Sequence, residues 1–174
     1  YKRQLECHPN HLSLFKRTPN LEKLFSEQDV FFVGGGNTKS MLAVWREWGI
    51  DELLHNAYHE GKIMSGVSAG AICWFEKGVT DSWDDELRVL DCLGIIKGNC
   101  CPHYDEEPDR IPYTNKFLTE GLIDSIHCIE GGSALHFVDE LVKHNVSFHK
   151  SKNSYNVSIK DNQILTKAYS SISI

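Results

Sequence analysis

A short apolar run that ends in three glycines limits what this chain can fold into more than any other feature. Residues 30–33 (VFFV) contain no polar side chain, which is typical of a strand buried on both faces, and residues 34–36 (GGG) end it. Apolar side chains then recur at helical spacing from Thr38 to Trp48, and Gly49 ends that segment. A buried strand that leads directly into a helix is typical of parallel sheets covered by helices.

The strand–helix order continues along the chain and then changes to short strands. The further predicted elements are helices at 51–60 and 69–75, a strand at 63–67, short strands at 126–129 and 134–138, and a hairpin over 155–169. The sequence therefore predicts an α/β fold with parallel core strands and an antiparallel C-terminal edge. No linker divides the chain, so we expect residues 1–174 to form a single domain.

Composition excludes several classes of partner. The net charge is −6 and no basic stripe is present, which argues against nucleic acid. No apolar run approaches the ~20 residues that a helix needs to cross a membrane, so no membrane partner is expected. The six cysteines lack the spacing of a disulfide framework, which favours a reducing compartment and predicts a cytoplasmic protein. The oligomeric state is left open, with a homodimer as one option.

The motif Gly66-Val67-Ser68-Ala69-Gly70 carries the strongest chemical signal. It matches G-x-S-x-G and lies where a predicted strand gives way to a predicted helix. A serine on such a sharp turn presents its hydroxyl outside the sheet, and the backbone N–H of Ala69 can stabilise an oxyanion. A plain turn of small residues is the alternative. The motif therefore makes Ser68 the candidate nucleophile.

A serine nucleophile needs a base, and His103 is the favoured one of nine histidines. It follows Pro102 in a loop beyond a predicted strand, where catalytic residues of α/β folds lie. Position alone favours it only slightly. His103 also stands near Cys100 and Cys101, but no second spaced pair completes a zinc site, so neither a metal nor another cofactor is expected.

The triple glycine allows three interpretations. A phosphate could bind at the following helix N-terminus, but G-x-G-x-x-G would need glycine at Lys39 and a Walker A loop would need glycine at Thr38. A second interpretation is a backbone N–H donor that faces the serine. The third is a tight turn with Asn37 as the helix cap.

Three motifs in this order resemble those of the peptidase E (aspartyl dipeptidase) family. They are Val33-Gly34-Gly35-Gly36-Asn37-Thr38, Gly66-Val67-Ser68-Ala69-Gly70-Ala71 and Cys101-Pro102-His103-Tyr104, and the likeness covers residues 29–138. Residues 72–82 look like an uncharacterised bacterial branch of the family. The resemblance implies a three-layer α/β fold with a mainly parallel central sheet, like that of class I glutamine amidotransferases. It also implies more chain before the triple glycine, so this chain looks short at its N-terminus.

The resemblance assigns a catalytic triad. It implies Ser68 as nucleophile and His103 as general base. The acid is implied to be Glu130, because Glu130-Gly131-Gly132 matches a Pro-Glu-Gly context with Ile129 in place of the proline. Asp81, the nearest aspartate after the serine, is the alternative.

The resemblance also assigns the neighbourhood of the triad. It implies that Gly36 and Ala69 form the oxyanion hole, with Gly35 and Asn37 at the substrate. The implied activity is a serine-type peptidase that cleaves short peptides in the manner of a dipeptidase. Lys77 replaces the arginine that would suit an acidic substrate, so aspartyl specificity is not expected. The alternatives are another amidase or esterase, or a non-catalytic binding module that kept the pocket.

Overall fold

A computed structural model describes residues 6–83 and 86–173, which form a mixed α/β fold with three sheets. The helices are α1 (Leu21–Ser26), α2 (Thr38–Glu47), α3 (Ile50–His59), α4 (Ala69–Ile72) and α5 (Arg110–Thr119). The strands are β1 (Val30–Val33), β2 (Ile63–Gly66), β3 (Phe75–Thr80), β4 (Arg88–Asp91), β5 (Ile96–Cys101), β6 (Ser125–Ile129), β7 (Ser133–Val138), β8 (Leu141–Ser147), β9 (Ser154–Lys160), β10 (Gln163–Ala168) and β11 (Ser171–Ser173).

The first sheet consists of β1 and β2, which pair in parallel. Phe31 and Val33 of β1 pack against the core formed with α2 and α3. Val30 and Phe32 point to the other face and are 52% and 69% exposed. The expectation that this run is buried on both faces is therefore wrong. A two-stranded sheet has one face on the helices, and no described layer covers the other.

The second sheet has six strands in the order β10-β9-β6-β5-β3-β4. Two neighbouring pairs, β6 with β5 and β5 with β3, are parallel. The other three pairs are antiparallel, and two of them form the C-terminal edge that the sequence predicted. The sheets are mixed, so a mainly parallel central sheet is not what this structure has. The difference arises because the parallel strands β1 and β2 form a separate sheet, and because β4 folds back on β3 and adds an antiparallel pair at the opposite edge.

The third sheet has the order β11-β8-β7, with β7 and β8 antiparallel. The described core has one cluster beneath α5, one beneath α2 and α3, and a smaller one formed by Ile72, Phe75 and Cys100. Leu118, Ile126 and Val157 are fully buried in the first, and Leu42 and Cys73 in the second. Within the described ranges, no helix has the length and apolar character that crossing a membrane requires.

Candidate active site

Ser68 lies on a sharp turn between β2 and α4. Its φ of 57° and ψ of −120° fall outside the common regions for residues with a side chain. The two motif glycines make this turn possible. A Cβ added at Gly70 would overlap the Val33 carbonyl group and lie 2.7 Å from the Val33 Cβ, and one at Gly66 would lie 2.9 Å from the Val33 carbonyl oxygen. The turn therefore packs directly on the end of β1, with Ser68 partly buried at its apex.

His103 meets Ser68 from the loop that follows β5. Its Nε2 lies 3.0 Å from the Ser68 Oγ, although the two residues are 35 positions apart. This is hydrogen-bonding distance for a general base and its nucleophile. His103 also has a positive φ, 54°, and its side chain is 31% exposed. The structure thus brings together the serine and the histidine that the sequence singled out.

The carboxylate at His103 belongs to Glu106, which the sequence reasoning missed. Glu106 Oε2 lies 2.6 Å from His103 Nδ1, the ring nitrogen that faces away from Ser68. The two residues are held in one turn, because the His103 carbonyl accepts from the backbone N–H of Glu106 at 3.1 Å and of Glu107 at 3.2 Å. An acid three residues after the histidine in a polar loop was the available signal.

Glu130 and Asp81, the predicted acids, are engaged elsewhere in the described structure. Glu130 Oε2 accepts from the backbone N–H of Asn153 at 2.9 Å, and its Oε1 accepts from the Tyr155 hydroxyl at 3.2 Å. The Asp81 carboxylate lies 3.7 Å from the guanidinium of Arg110, a side chain that is only 2% exposed. The expected contact between either acid and His103 is therefore not present.

The triple-glycine loop lies beside the serine. A Cβ added at Gly35 would lie 3.3 Å from the Ser68 Cβ and 3.6 Å from its Oγ. Gly36 follows with a φ of 149°. Among residues 6–83 and 86–173, no acceptor within the chain binds the backbone N–H groups of Gly35, Gly36 or Ala69. These N–H groups thus remain available close to the nucleophile.

Asn37 caps helix α2. Its Oδ1 accepts from the backbone N–H of Ser40 at 2.9 Å, and its Nδ2 donates to the Ser82 carbonyl at 2.9 Å. Both polar atoms of the side chain are therefore used within the fold. This is the helix cap that the sequence allowed as one interpretation, and it fixes the end of the glycine loop.

A charged group of residues borders His103 and Glu106. Asp105 accepts from the Gly131 N–H at 2.8 Å and forms an ion pair with Lys152. Partial burial would raise the pKa of Asp105, but the hydrogen bonds from Lys152 and Gly131 outweigh it and lower the pKa. The same hydrogen bond has the opposite effect on Lys152 and raises its pKa. Both side chains therefore stay charged beside the site.

Two other kinds of site, a metal centre and a ligand cavity, can be compared with the Ser68–His103 pair in the described residues. No group of three or more His, Cys, Asp or Glu side chains that could hold a metal ion occurs in the part of the chain that the structure describes. A cavity of about 710 Å³ is lined by residues such as Glu76, Lys77 and Asn99 on β3 and β5. Neither Ser68 nor His103 lines it. This cavity is therefore separate from the Ser68–His103 pair.

A serine on a strand–helix elbow, with a histidine at hydrogen-bonding distance, is the arrangement of serine hydrolases. The model of Peptidase family S51 matches residues 1–144, and the chain belongs to that family. It is thus a serine peptidase, and the resemblance noted in the sequence is confirmed.

Two peptidases and one solved structure are among the proteins to which this chain is similar. The chain is 42% identical over 161 residues to "Uncharacterized peptidase YgaJ" of Bacillus subtilis (strain 168), covering 92% of this chain and 70% of the relative. It is 30% identical over 114 residues to "Uncharacterized peptidase Lmo0363" of Listeria monocytogenes serovar 1/2a, covering 62% of this chain and 53% of that relative. A crystal structure described as a "Putative Peptidase E Protein" from Listeria monocytogenes EGD-e matches with a TM-score of 0.49 and 21% identity, over 86% of this chain and 64% of that one.

Proposed function

We propose that this chain hydrolyses short peptides with Ser68 as nucleophile and His103 as general base, in a triad completed by a carboxylate. The observation that carries the proposal is the 3.0 Å approach of His103 Nε2 to the Ser68 Oγ on an elbow between strand and helix. Membership of a peptidase family gives this pair its reaction class. Because the chain spans only part of its relatives' lengths, the activity of the chain itself needs direct measurement.

The reaction follows from the positions of the two side chains. Ser68 Oγ attacks the peptide carbonyl carbon while its proton passes to His103 Nε2. The tetrahedral intermediate collapses, the C–N bond breaks, and His103 gives the proton to the leaving amine. Water then attacks the acyl-serine ester with His103 again as base, which releases the acid product and restores the Ser68 hydroxyl.

The oxyanion of each intermediate needs hydrogen-bond donors close to the serine. We assign this role to the backbone N–H groups of Gly36 and Ala69, with Gly35 beside the substrate. Support comes from the lack of an acceptor for these N–H groups in the described chain and from the approach of Gly35 to Ser68. Removing one such donor in a serine peptidase typically lowers kcat by ~100- to 1,000-fold. We give Asn37 the indirect role of fixing this loop as the α2 cap.

Neither Lys77, which stands where the family arginine is expected, nor the buried Arg110 favours an acidic substrate. Lys77 donates from its ammonium group to the Leu122 carbonyl at 3.2 Å. Arg110 is buried and bound by Glu107 and by the Val79 carbonyl, each at 2.8 Å. A planar guanidinium is the group that recognises a carboxylate with two parallel hydrogen bonds, and Arg110 is committed within the fold. We therefore expect no strong preference for an aspartyl residue before the cleaved bond.

A panel of dipeptides tests the function. Asp-Leu, Ala-Leu and Leu-Leu, with matched ester and amide substrates, are compared by kcat/KM for the wild-type chain and Ser68→Ala. We expect hydrolysis of all three peptides within about tenfold of each other, which is ~1.4 kcal/mol in the transition state, and none by Ser68→Ala. A hundredfold preference for Asp-Leu would overturn the specificity, and turnover of esters or simple amides alone would make the chain a different hydrolase.

The state of the cysteines supports a reducing compartment. All six are free thiols, and four of them, Cys73, Cys100, Cys101 and Cys128, are buried. Burial raises the pKa of Cys73 and of Cys100, which keeps these thiols protonated and unreactive. We propose on this basis that the chain works in the cytoplasm.

A further inference from the structure

We propose that Glu106 is the carboxylate that orients His103, and that Gly131 provides the space in which the Glu106 carboxyl group lies. This inference rests on the proposed function, because an oriented histidine matters only if Ser68 needs a base. Glu106 would act through His103 and is therefore a positioning residue. The segment Glu130-Gly131-Gly132 would then supply the space for the acid and not the acid itself. We call this space at Gly131 the seat of Glu106.

The contacts of His103 support the first part. Ser68 Oγ lies at Nε2 and Glu106 Oε2 at Nδ1, at 3.0 Å and 2.6 Å. A carboxylate at Nδ1 holds the proton on that nitrogen, leaves Nε2 free to accept from serine, and stabilises the imidazolium that forms. The turn from His103 to Glu107 fixes the acid at this distance through its backbone hydrogen bonds.

The space at Gly131 supports the second part. A Cβ added there would lie within 2.9 Å of three Glu106 atoms, namely both carboxyl oxygens and the carbon between them. Gly131 does not have a positive φ, so its backbone conformation is open to alanine. A side chain at this position would have to displace the Glu106 carboxyl group. Glycine here is explained by space and not by conformational freedom.

Two polar contacts fix the position of Gly131 relative to the loop that carries His103. The Gly131 N–H donates to Asp105 Oδ1 at 2.8 Å, and Asp105 pairs with Lys152. Asp105 and Glu106 are adjacent in sequence, so the same backbone carries the anchor and the positioning acid. Glu130 meanwhile secures the neighbouring strand through Asn153 and Tyr155.

A matched set of carboxamide variants tests which acid acts. Glu106→Gln, Glu130→Gln and Asp81→Asn are compared by kcat and KM on Ala-Leu, with the melting temperature measured for each. We expect Glu106→Gln to lower kcat at least ~100-fold at unchanged KM, since loss of a buried triad aspartate costs ~10⁴-fold and Glu106 is half exposed. The other two should keep kcat within about threefold. Each variant is assayed well below its own melting transition, so that activity is compared between folded chains. Near-wild-type kcat in Glu106→Gln, or an equal loss in Glu130→Gln, would overturn the assignment.

A second experiment tests the seat. Gly131→Ala should reproduce the kcat loss of Glu106→Gln, because the new Cβ displaces the carboxyl group. In a Glu106→Ala background the same change should cost nothing further, since the overlapping atoms are gone. An equal loss from Gly131→Ala in both backgrounds, or no loss in either, would overturn the seat.

A third readout does not depend on turnover. The proton between His103 Nδ1 and Glu106 should give a far-downfield NMR signal in the wild type and in Glu130→Gln. It should vanish in Glu106→Gln and in Gly131→Ala. A signal that survives Glu106→Gln would overturn the inference. A chain that shows the signal but hydrolyses no peptide would instead overturn the proposed function and leave the positioning of His103 intact.

Discussion

The side chains of Ser68 and His103 are hydrogen-bonded to each other, and both residues have a positive φ, of 57° and 54°. Residues other than glycine avoid positive φ because the Cβ crowds the backbone. Such conformations persist where the surrounding structure imposes them, and they concentrate at functional sites. The hydrogen bond at this site therefore joins two residues that are each held in a costly conformation.

Relief of that strain at Ser68 is measurable. Ser68→Gly should raise the free energy of unfolding by about 1 kcal/mol. The strained φ and ψ cost ~1–3 kcal/mol, and the larger backbone entropy that glycine loses on folding offsets part of the gain from relieving this strain. For a chain of this size the melting temperature should rise by ~2–4 °C. Ser68→Ala keeps a Cβ and should melt within about 1 °C of the wild type. A lower melting temperature for Ser68→Gly would show that the turn is not strained.

The elbow should not tolerate a side chain at Gly70. A Cβ there would lie 2.7 Å from the Val33 Cβ and overlap the Val33 carbonyl. Gly70→Ala should therefore separate the elbow from β1 and lower the free energy of unfolding by at least ~2 kcal/mol. Gly34→Ala is the matched control for stability, because an added Cβ at Gly34 meets no atom within 4 Å. Equal melting temperatures for the two variants would contradict the packing described.

His127 should make stability depend on pH. Burial lowers the pKa of His127 to about 4, and its ring packs on Phe75, Phe137 and Tyr169. Between the unfolded pKa of ~6.5 and the folded value, the unfolded chain binds the extra proton, so stability falls as the pH falls. The loss from pH 7 to pH 4 should be on the order of 3 kcal/mol. His127→Gln should remove that part of the pH dependence, and identical pH profiles would show that His127 is not held neutral.

Glu130 should matter for stability. Its two carboxylate oxygens accept from the Asn153 N–H and the Tyr155 hydroxyl. Glu130→Gln places an amide against one of these donors and should lower the free energy of unfolding by ~1–3 kcal/mol. Tyr155→Phe should lower it by less, because the bond to Asn153 remains. Thermal unfolding of both variants checks this ranking, and an unchanged melting temperature in Glu130→Gln would contradict it.

The sequence singled out Ser68 and His103, which the structure places within hydrogen-bonding distance, because their signals are local. Gly66 and Gly70 reveal a tight turn, and His103 follows Pro102 directly after a strand. The acid could not be chosen in this way. Three consecutive acidic residues lie just after His103 in the same loop, and each forms an ion pair with a different partner. Asp105 pairs with Lys152, Glu106 with His103 and Glu107 with Arg110. Only the tertiary structure distinguishes among neighbours with the same chemistry.

The errors in the fold have a similar origin. Residues 69–75 were predicted as a helix, but the structure ends α4 at Ile72 and begins β3 at Phe75. Strand β3 exists because it pairs with β5 on one side and β4 on the other. That pairing is set by residues far along the chain and leaves no local pattern.

The most direct test of this account is the labelling of the chain with a fluorophosphonate, which reacts with a serine only when a base activates it. Digestion and mass spectrometry then locate the adduct in the wild type and in Ser68→Ala. We predict a single adduct on Ser68 in the wild type and none in Ser68→Ala. An adduct on another serine, labelling that persists in Ser68→Ala, or a wild-type chain that does not react would contradict the assignment of Ser68 as the nucleophile.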